Sequence, residues 1–291
     1  VRRQPKVRIL SSILLEGCIM ASPSTITVSQ LTRLIGTPEA PIVLDVRIDD
    51  DFATDPTLIP LSIRHPFATV GQLAPQLQGR HVVVSCHRGK KISQGAMALL
   101  RDCGINAESL EGGHVAWCDA GGTVVPAAAI PAVNAAGRTV WVTRHRPKID
   151  RLACPWLIRR FIDPNPLILF VAPSEVLDVA EKFNAVPFDV EGVFWSHRGE
   201  HCTFDTMVEE FDLGTEPMQR LATIVRGADT NRHDLAPESA GLMAASLGLS
   251  RMYKDDLLQL DAAMGLYDAF FRWARDAAAE THDWPMKTKG A

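Results

Sequence analysis

The stretch His81-Val82-Val83-Val84-Ser85-Cys86-His87-Arg88-Gly89-Lys90-Lys91-Ile92-Ser93 decides how the first half of the chain reads. Its apolar, β-branched opening is the pattern of a strand buried on both faces of a parallel sheet. A cysteine follows at once, and a helical pattern starts near Ser93, with Ala96, Leu99 and Leu100 on one face. Cys86 therefore stands at the carboxyl end of a strand, where open α/β sheets place their ligands. The amides of the loop and the N-terminus of the next helix favour an anion at that point. His87, Arg88, Lys90 and Lys91 add positive charge, and Gly89 supplies a residue free to take positive φ. The thiolate is the nucleophilic form of cysteine, so the loop reads as a nucleophile in an anion-binding cradle. A buried, inert cysteine that only ends a strand is the plainer alternative. A phosphatase that clamps phosphate with an arginine six positions beyond its cysteine is the weakest alternative, because that position is Ile92.

Working outward, Ile42-Val43-Leu44-Asp45-Val46 is a second buried-strand run, and Ala107-Glu108-Ser109-Leu110 a third. Thr25-Ile26-Thr27 is a short strand before a helix that Ser29 is expected to cap and Gly36 to stop. Strands alternating with helices at this spacing predict a parallel sheet with helices on both faces. The uncharged, proline-bearing run from Gly121 to Ala132 reads as a linker. Beyond it the pattern gives a strand at Thr139 to Thr143, a helix from Asp150 to Ile162, a strand at Leu167 to Val171 and a helix from Ser174 to Phe183. The rest is mostly helical. Its last helix, Lys254 to Glu280, carries Leu257, Leu260, Met264, Tyr267, Phe271 and Ala274 as a packing stripe.

Three separated segments carry a resemblance to the rhodanese (sulfurtransferase) family: Leu44-Asp45-Val46-Arg47, the loop from Cys86 to Ser93, and Glu111-Gly112-Gly113-His114-Val115-Ala116-Trp117 with Gly121 after it. The resemblance spans about residues 22–122. It implies that Cys86 accepts a sulfane sulfur as a persulfide and passes it to a thiol or cyanide acceptor, with no cofactor. It further implies that Arg47, His87, Arg88, Gly89, Lys90 and Lys91 bind the small sulfur donor, that Asp45 supports the site, and that the double-glycine/Trp segment closes the fold. Two departures stand out. Lys91 and Ile92 occupy positions where many members have Arg and Ser, and Leu58-Ile59-Pro60-Leu61-Ser62-Ile63-Arg64 matches the usual Ile-Pro-Gly-Ala approach only partly. Lys91 keeps the charge of an arginine without its planar bidentate grip.

The second half resembles the C-terminal domain of chromate-resistance proteins of the ChrB type, over about residues 138–276. The segments are Trp141 to His145, Asp150 to Pro164, His201-Cys202-Thr203-Phe204-Asp205, Ile224 to Asp229, and Gly248-Leu249-Ser250-Arg251. The resemblance implies a setting of chromate efflux and resistance rather than a defined chemistry. Two features of the residues stand beside it. His197, Glu200, His201 and Cys202 gather metal-ligand types in one loop, suited to zinc or a similar divalent ion, or else form a polar loop in which Asp205 caps a helix. Arg144, Arg146 and Arg151, with Arg159 and Arg160, suit an oxyanion such as chromate or sulfate, or else line a solvated helix face paired with Asp150 and Asp163.

The expected architecture is thus α/β: a rhodanese-like parallel sheet with flanking helices at 22–122, a linker at 123–137, and a second α+β, mostly helical domain at 138–280. Residues 1–21 read as a disordered extension. Their basic start and apolar run are like a secretory signal, but the run is short and Glu16 interrupts it, so Met20 is the expected start of the domain. Six dispersed cysteines with no CxxC pair suit a reducing, cytoplasmic setting. Cys103, Cys118 and Cys154 read as packing residues. A net charge of −4 gives no reason to expect nucleic-acid binding, and no apolar run approaches the roughly 20 residues of a membrane span. Two functions remain open: a sulfurtransferase adapted to oxyanion stress, or an oxyanion-sensing regulator whose rhodanese half no longer turns over.

Overall fold

The structure, a computed structural model, describes residues 24–280. The extension expected at 1–21, with Cys18 and Met20, lies outside them. The first unit runs β1 (Thr25–Ile26), α1 (Val28–Leu34), β2 (Ile42–Asp45), α2 (Asp49–Thr54), β3 (Thr57–Leu58) and β4 (Ser62–Arg64). It continues with α3 (Ala74–Leu77), β5 (His81–Ser85), α4 (Lys91–Asp102), β6 (Asn106–Leu110), α5 (Gly113–Asp119) and β7 (Val125–Pro126). Five strands form one parallel sheet in the order β1-β6-β5-β2-β4. The all-apolar run in β5 has its reason here: Val82, Val83 and Val84 are fully buried at the middle of a sheet covered on both faces. Alternation along β2 and β5 divides two cores. Leu44, Val82 and Val84 join Cys86, Ala96 and Leu100 under α4, while Val43 and Val83 join Leu31, Leu110 and Trp117 on the other face.

The helix after β1 is capped two residues earlier than expected. Thr27, not Ser29, is its N-cap, and the Gln30 side chain answers to the Thr27 N–H, so two otherwise free amides are satisfied reciprocally. Leu99 and Leu257, read as parts of buried stripes, are exposed.

The second unit begins with β8 (Val140–Arg144), α6 (Asp150–Leu157), β9 (Leu167–Val171), α7 (Val176–Phe183) and β10 (Val186–Pro187). These make a small parallel sheet, β10-β8-β9. Four helices complete it: α8 (Thr203–Glu210), α9 (Glu216–Asp229), α10 (Glu238–Met252) and α11 (Asp256–Arg272). Trp156 of α6 is the hub of their core, with ring centroids 5.5 Å from Phe271, 5.9 Å from Phe161 and 6.2 Å from Tyr267.

The two units share apolar packing. The core on the Trp117 face continues without a break into Phe161, Met218 and Phe271. The Leu61 N–H donates to the Phe161 carbonyl at 2.9 Å, and Arg275 donates to the Ile35 carbonyl at 3.2 Å. Gly36 sits at this junction with φ of 77°, and a Cβ there would lie 2.6 Å from both the Phe161 and Phe271 rings. The stretch 123–137, expected as a free linker, is ordered at its start. Val125 is buried, and β7 pairs antiparallel with β3, because the uncharged run offers an apolar edge that the first unit can cover.

Candidate active site and a second polar cluster

The topology locates the first site before any side chain is considered. The connection leaving β2 runs to β4 on one side, and the connection leaving β5 runs to β6 on the other. The crevice between the carboxyl ends of β2 and β5 is therefore a switch point, the place where α/β sheets bind ligands. Cys86 follows β5 there, and Asp45 ends β2 directly opposite Ser85.

Backbone contacts hold the Cys86 loop. Gly89 has φ of 63°, and a Cβ on it would lie 2.5 Å from the Leu110 carbonyl and 2.7 Å from the amides of Gly112 and Gly113. Gly113, also at positive φ, would drive a Cβ into the Cys86 carbonyl. The double-glycine segment and the cysteine loop thus pack main chain on main chain. At the start of α5, the His114 N–H donates to the Cys86 carbonyl (2.9 Å) and the Val115 N–H to the His87 carbonyl (3.0 Å). With those carbonyls tied back, the N–H groups of His87, Arg88, Gly89 and Lys90 find no acceptor among the described residues. Cys86 itself is buried, and its thiol donates to Ser93 Oγ at 3.3 Å, while that hydroxyl donates to the Lys90 carbonyl. Arg88, Lys90 and Lys91 are exposed and His87 half-buried, with His87 Nδ1 unpartnered.

Arg47 has a different place from the one expected. Its side chain is fully buried and donates to Asp45 Oδ2 through Nε (2.8 Å), to the Asp55 carbonyl (2.9 Å) and to the Thr57 carbonyl. The guanidinium is spent on holding the 55–57 segment against β2, so it has no face to offer a donor molecule. Asp45 keeps its supporting role as the counter-charge. His114, which the motif supplied without a role, joins Asp55 at 2.9 Å and lies 3.5 Å from the Cys118 sulfur. Burial, reinforced by the Arg47 charge, pushes the His114 imidazole below its usual range although Asp55 opposes this. Asp55 is held below the usual carboxylate range by hydrogen bonds from Thr57 and His114, which outweigh its burial. Cys118 is therefore part of a polar trio rather than plain packing, and its thiol is pushed up by burial and by Asp55. Cys103 is exposed, contrary to the packing reading, whereas Cys154 is fully buried as expected. All five cysteines among the described residues are free. No helix among those residues is long and apolar enough to cross a membrane.

In the second unit the expected metal set comes apart. Hydrogen bonds between Arg198 and His201 close a tight turn, which separates His197 from Cys202. Glu200 and His201 are exposed on it. Cys202 is buried as the N-cap of α8, where its sulfur accepts the Asp205 N–H and Asp205 accepts the Cys202 N–H at 3.0 Å. Burial holds that thiol well above its usual range, so it is no ready thiolate. Of the expected set only His197 enters a cluster, and its partners come from distant positions: Asp150, Asp189 and Asp229. Burial raises Asp150 to about 6. The three surrounding carboxylates, Asp150, Asp189 and Asp229, push His197 up to about 12. Asp189 stays low despite burial, through His197 and the Arg144 and Arg151 charges.

The arginines expected to hold an oxyanion are engaged within the fold. Arg144 and Arg151 reach Asp189 at 3.0 and 3.2 Å, and Arg146 donates to the Ser250 and Tyr253 carbonyls that end α10. Arg159 pairs with Asp261, and Arg160 grips Asp268 through two hydrogen bonds of 2.8 Å. The sequence spacing put them near one junction but hid these long-range carboxylates.

Residues 27–120 match the rhodanese-like domain family, and the fold just described is of that type. Residues 141–274 match the family described as ChrB, C-terminal domain, so the chain joins a rhodanese-like domain to a ChrB C-terminal domain. Protein ChrB of Cupriavidus metallidurans is 30% identical over 132 residues, 45% of this chain and 39% of that relative's length. Among solved structures, a rhodanese-related protein from Thermoplasma volcanium is 27% identical with a TM-score of 0.30, covering 35% of this chain and 96% of its own. A thiosulfate sulfurtransferase from Pseudomonas aeruginosa is 24% identical with a TM-score of 0.31, covering 35% of this chain and 19% of its own.

Proposed function

We propose that this protein is a sulfurtransferase whose Cys86 carries a persulfide, working in a cytoplasmic setting of chromate or related oxyanion stress. The observation that carries the reading is the cradle itself: the carbonyls of Cys86 and His87 are tied to α5, and the N–H groups of the four residues that follow Cys86 have no acceptor among the described residues, so they remain available to an anion. With thiosulfate, the Cys86 thiolate attacks the sulfane sulfur. The sulfur–sulfur bond of the donor breaks, and sulfite departs with the electron pair. The persulfide anion then rests among the loop amides, which act on sulfur as oxyanion holes act on oxygen. A thiolate or cyanide acceptor takes the outer sulfur, and Cys86 leaves as thiolate. His87, Arg88, Lys90 and Lys91 draw the anionic donor in. The link to oxyanion stress rests on the ChrB-type second unit.

Incubation with thiosulfate, and separately with mercaptopyruvate, tests this by intact mass. The expected result is one added sulfur atom, released by cyanide as thiocyanate and absent from Cys86→Ser. Sulfuration that persists in Cys86→Ser assigns the chemistry to another cysteine. A wild-type protein that takes sulfur from neither donor fits a regulatory role for the domain instead.

A further inference from the structure

The cluster around His197 stands at the carboxyl end of the second sheet. Asp189 lies two residues beyond β10, Arg144 ends β8, and Asp150 opens α6. His197 Nε2 is 3.4 Å from Asp150 Oδ2, 3.4 Å from Asp189 Oδ1 and 3.3 Å from Asp229 Oδ2. These three near-equal distances are hard to assign to hydrogen bonds. One imidazole nitrogen carries a single hydrogen or a single lone pair, and a charge-assisted N–H···O bond is shorter, about 2.7–2.9 Å. The donor atoms of Asp150, His197 and Asp229 all lie within 4.8 Å of one another. For metal–ligand bonds of roughly 2.1 Å, the edge of a tetrahedral site is about 3.4 Å, which is the spacing from His197 to both carboxylates.

We propose that His197 Nε2, Asp150 Oδ2 and Asp229 Oδ2 bind a divalent transition-metal ion such as zinc, with the remaining position open to water. Imidazole and carboxylate donors suit such an ion, and three protein ligands with an open position are the pattern of a reactive rather than a closed structural site. The surroundings fit. Both oxygens of Asp150 are aimed by the amides of Thr203 and Phe204, at 2.7 and 3.1 Å. Asp189, gripped by Arg144 and Arg151 through Oδ2, brings its Oδ1 to 3.4 Å from the same His197 nitrogen and adds negative charge beside the ion. Two buried polar atoms at the end of β8, Thr143 Oγ1 and Arg144 Nε, have no partner among the described residues. Strand alternation puts Thr143 on the face of Trp141, which meets Trp195 two residues before His197. Ile149, a β-branched residue beside Asp150, is held at φ of 41°, and Asp189 at 52°; such strain persists where the surroundings impose it, often at functional sites. The site is reachable, since the side chains of His197 and Asp229 are 41% and 21% exposed while that of Asp150 is 1%.

The test is metal binding by the full-length protein after dialysis against a chelator. Cobalt(II) is added and followed by its visible absorption in tetrahedral geometry, and zinc(II) is measured by competition with a chromogenic chelator. One equivalent of each is expected, lost in His197→Ala and in Asp229→Asn, and kept in Glu200→Ala and His201→Ala. Circular dichroism checks the fold of each variant; Asp229→Asn, which preserves volume, decides if His197→Ala does not fold. Wild-type protein that binds neither ion overturns the proposal. So does binding that survives in a folded His197→Ala or Asp229→Asn, or that disappears with His201→Ala.

Discussion

The Cys86 loop and the His197 cluster are both gatherings of polar side chains at the carboxyl end of a parallel sheet, yet they are built in opposite ways. The first is made from eight consecutive residues, Cys86 to Ser93, and its chemistry is backbone chemistry. The second draws one residue each from the start of α6, the loop beyond β10, the turn before α8 and the end of α9. A contiguous loop shows its residue types in order. A cluster assembled across 80 positions, from Asp150 to Asp229, shows nothing until the chain is folded.

That difference predicts different costs. The largest effect is expected at Arg47, which the contiguous site relies on from outside. Arg47→Ala leaves Asp45 buried without its counter-charge and should destabilise the protein by about 3–5 kcal/mol. Arg47→Lys should restore little, because a lysine cannot reproduce the planar fork. Denaturant unfolding measures both, and a loss below about 1 kcal/mol means that the loop stands without this support.

A medium effect sharpens the comparison directly. Asp150 accepts the two amides that open α8, so Asp150→Ala should cost at least about 2 kcal/mol through buried donors left unpaired. Cys86→Ser, which alters a side chain that anchors nothing beyond Ser93, should stay within about 0.5–1 kcal/mol of wild type. Equal losses in the two variants break the distinction between a site that stabilises the fold and a site that rests on it.

The smallest effect is a pH slope. His114 faces Asp55, Arg47, Asp45 and Cys118, and its folded-state value lies below the ordinary 6.5. The unfolded chain therefore takes up the proton first, and stability falls as pH drops below about 6.5 towards the folded value. Asp55, also depressed, contributes stability that is lost only at lower pH, below the ordinary carboxylate value of 3.8. The urea midpoint of wild type should thus decline between pH 7 and 5 more steeply than that of His114→Asn. Parallel curves would place the slope on another group.

Much of the first unit was legible because buried parallel strands and positive-φ glycines leave local marks. Val82 to Val84, Gly89 and the Gly112-Gly113 pair all took the places their pattern implied. Arg47 misled because sequence shows a charge and not the carbonyls of Asp55 and Thr57 that absorb it. His201 and Cys202 misled for a related reason. Adjacent ligand types invite a metal, but a turn and a helix cap send adjacent side chains to different environments. Asp229 stood out only as the end of a segment resembling the ChrB-type domain and carried no ligand signal of its own, since an aspartate at the end of an amphipathic helix is ordinary.

The junction at Gly36 also bears on how the chain is made. The first unit ends near β7, but the core that holds Leu31, Ile35 and Trp117 is completed by Phe161, Met218 and Phe271 of the second unit. Phe271 lies 154 positions after Trp117, which at a ribosome's pace is roughly 8–30 s of synthesis. During that interval the rhodanese-like half has its sheet and its cysteine loop but bears a sticky apolar flank on the nascent chain. A release-arrested nascent chain stopped near residue 140 should accordingly be held by chaperones, and one extended past the end of the second unit should be let go.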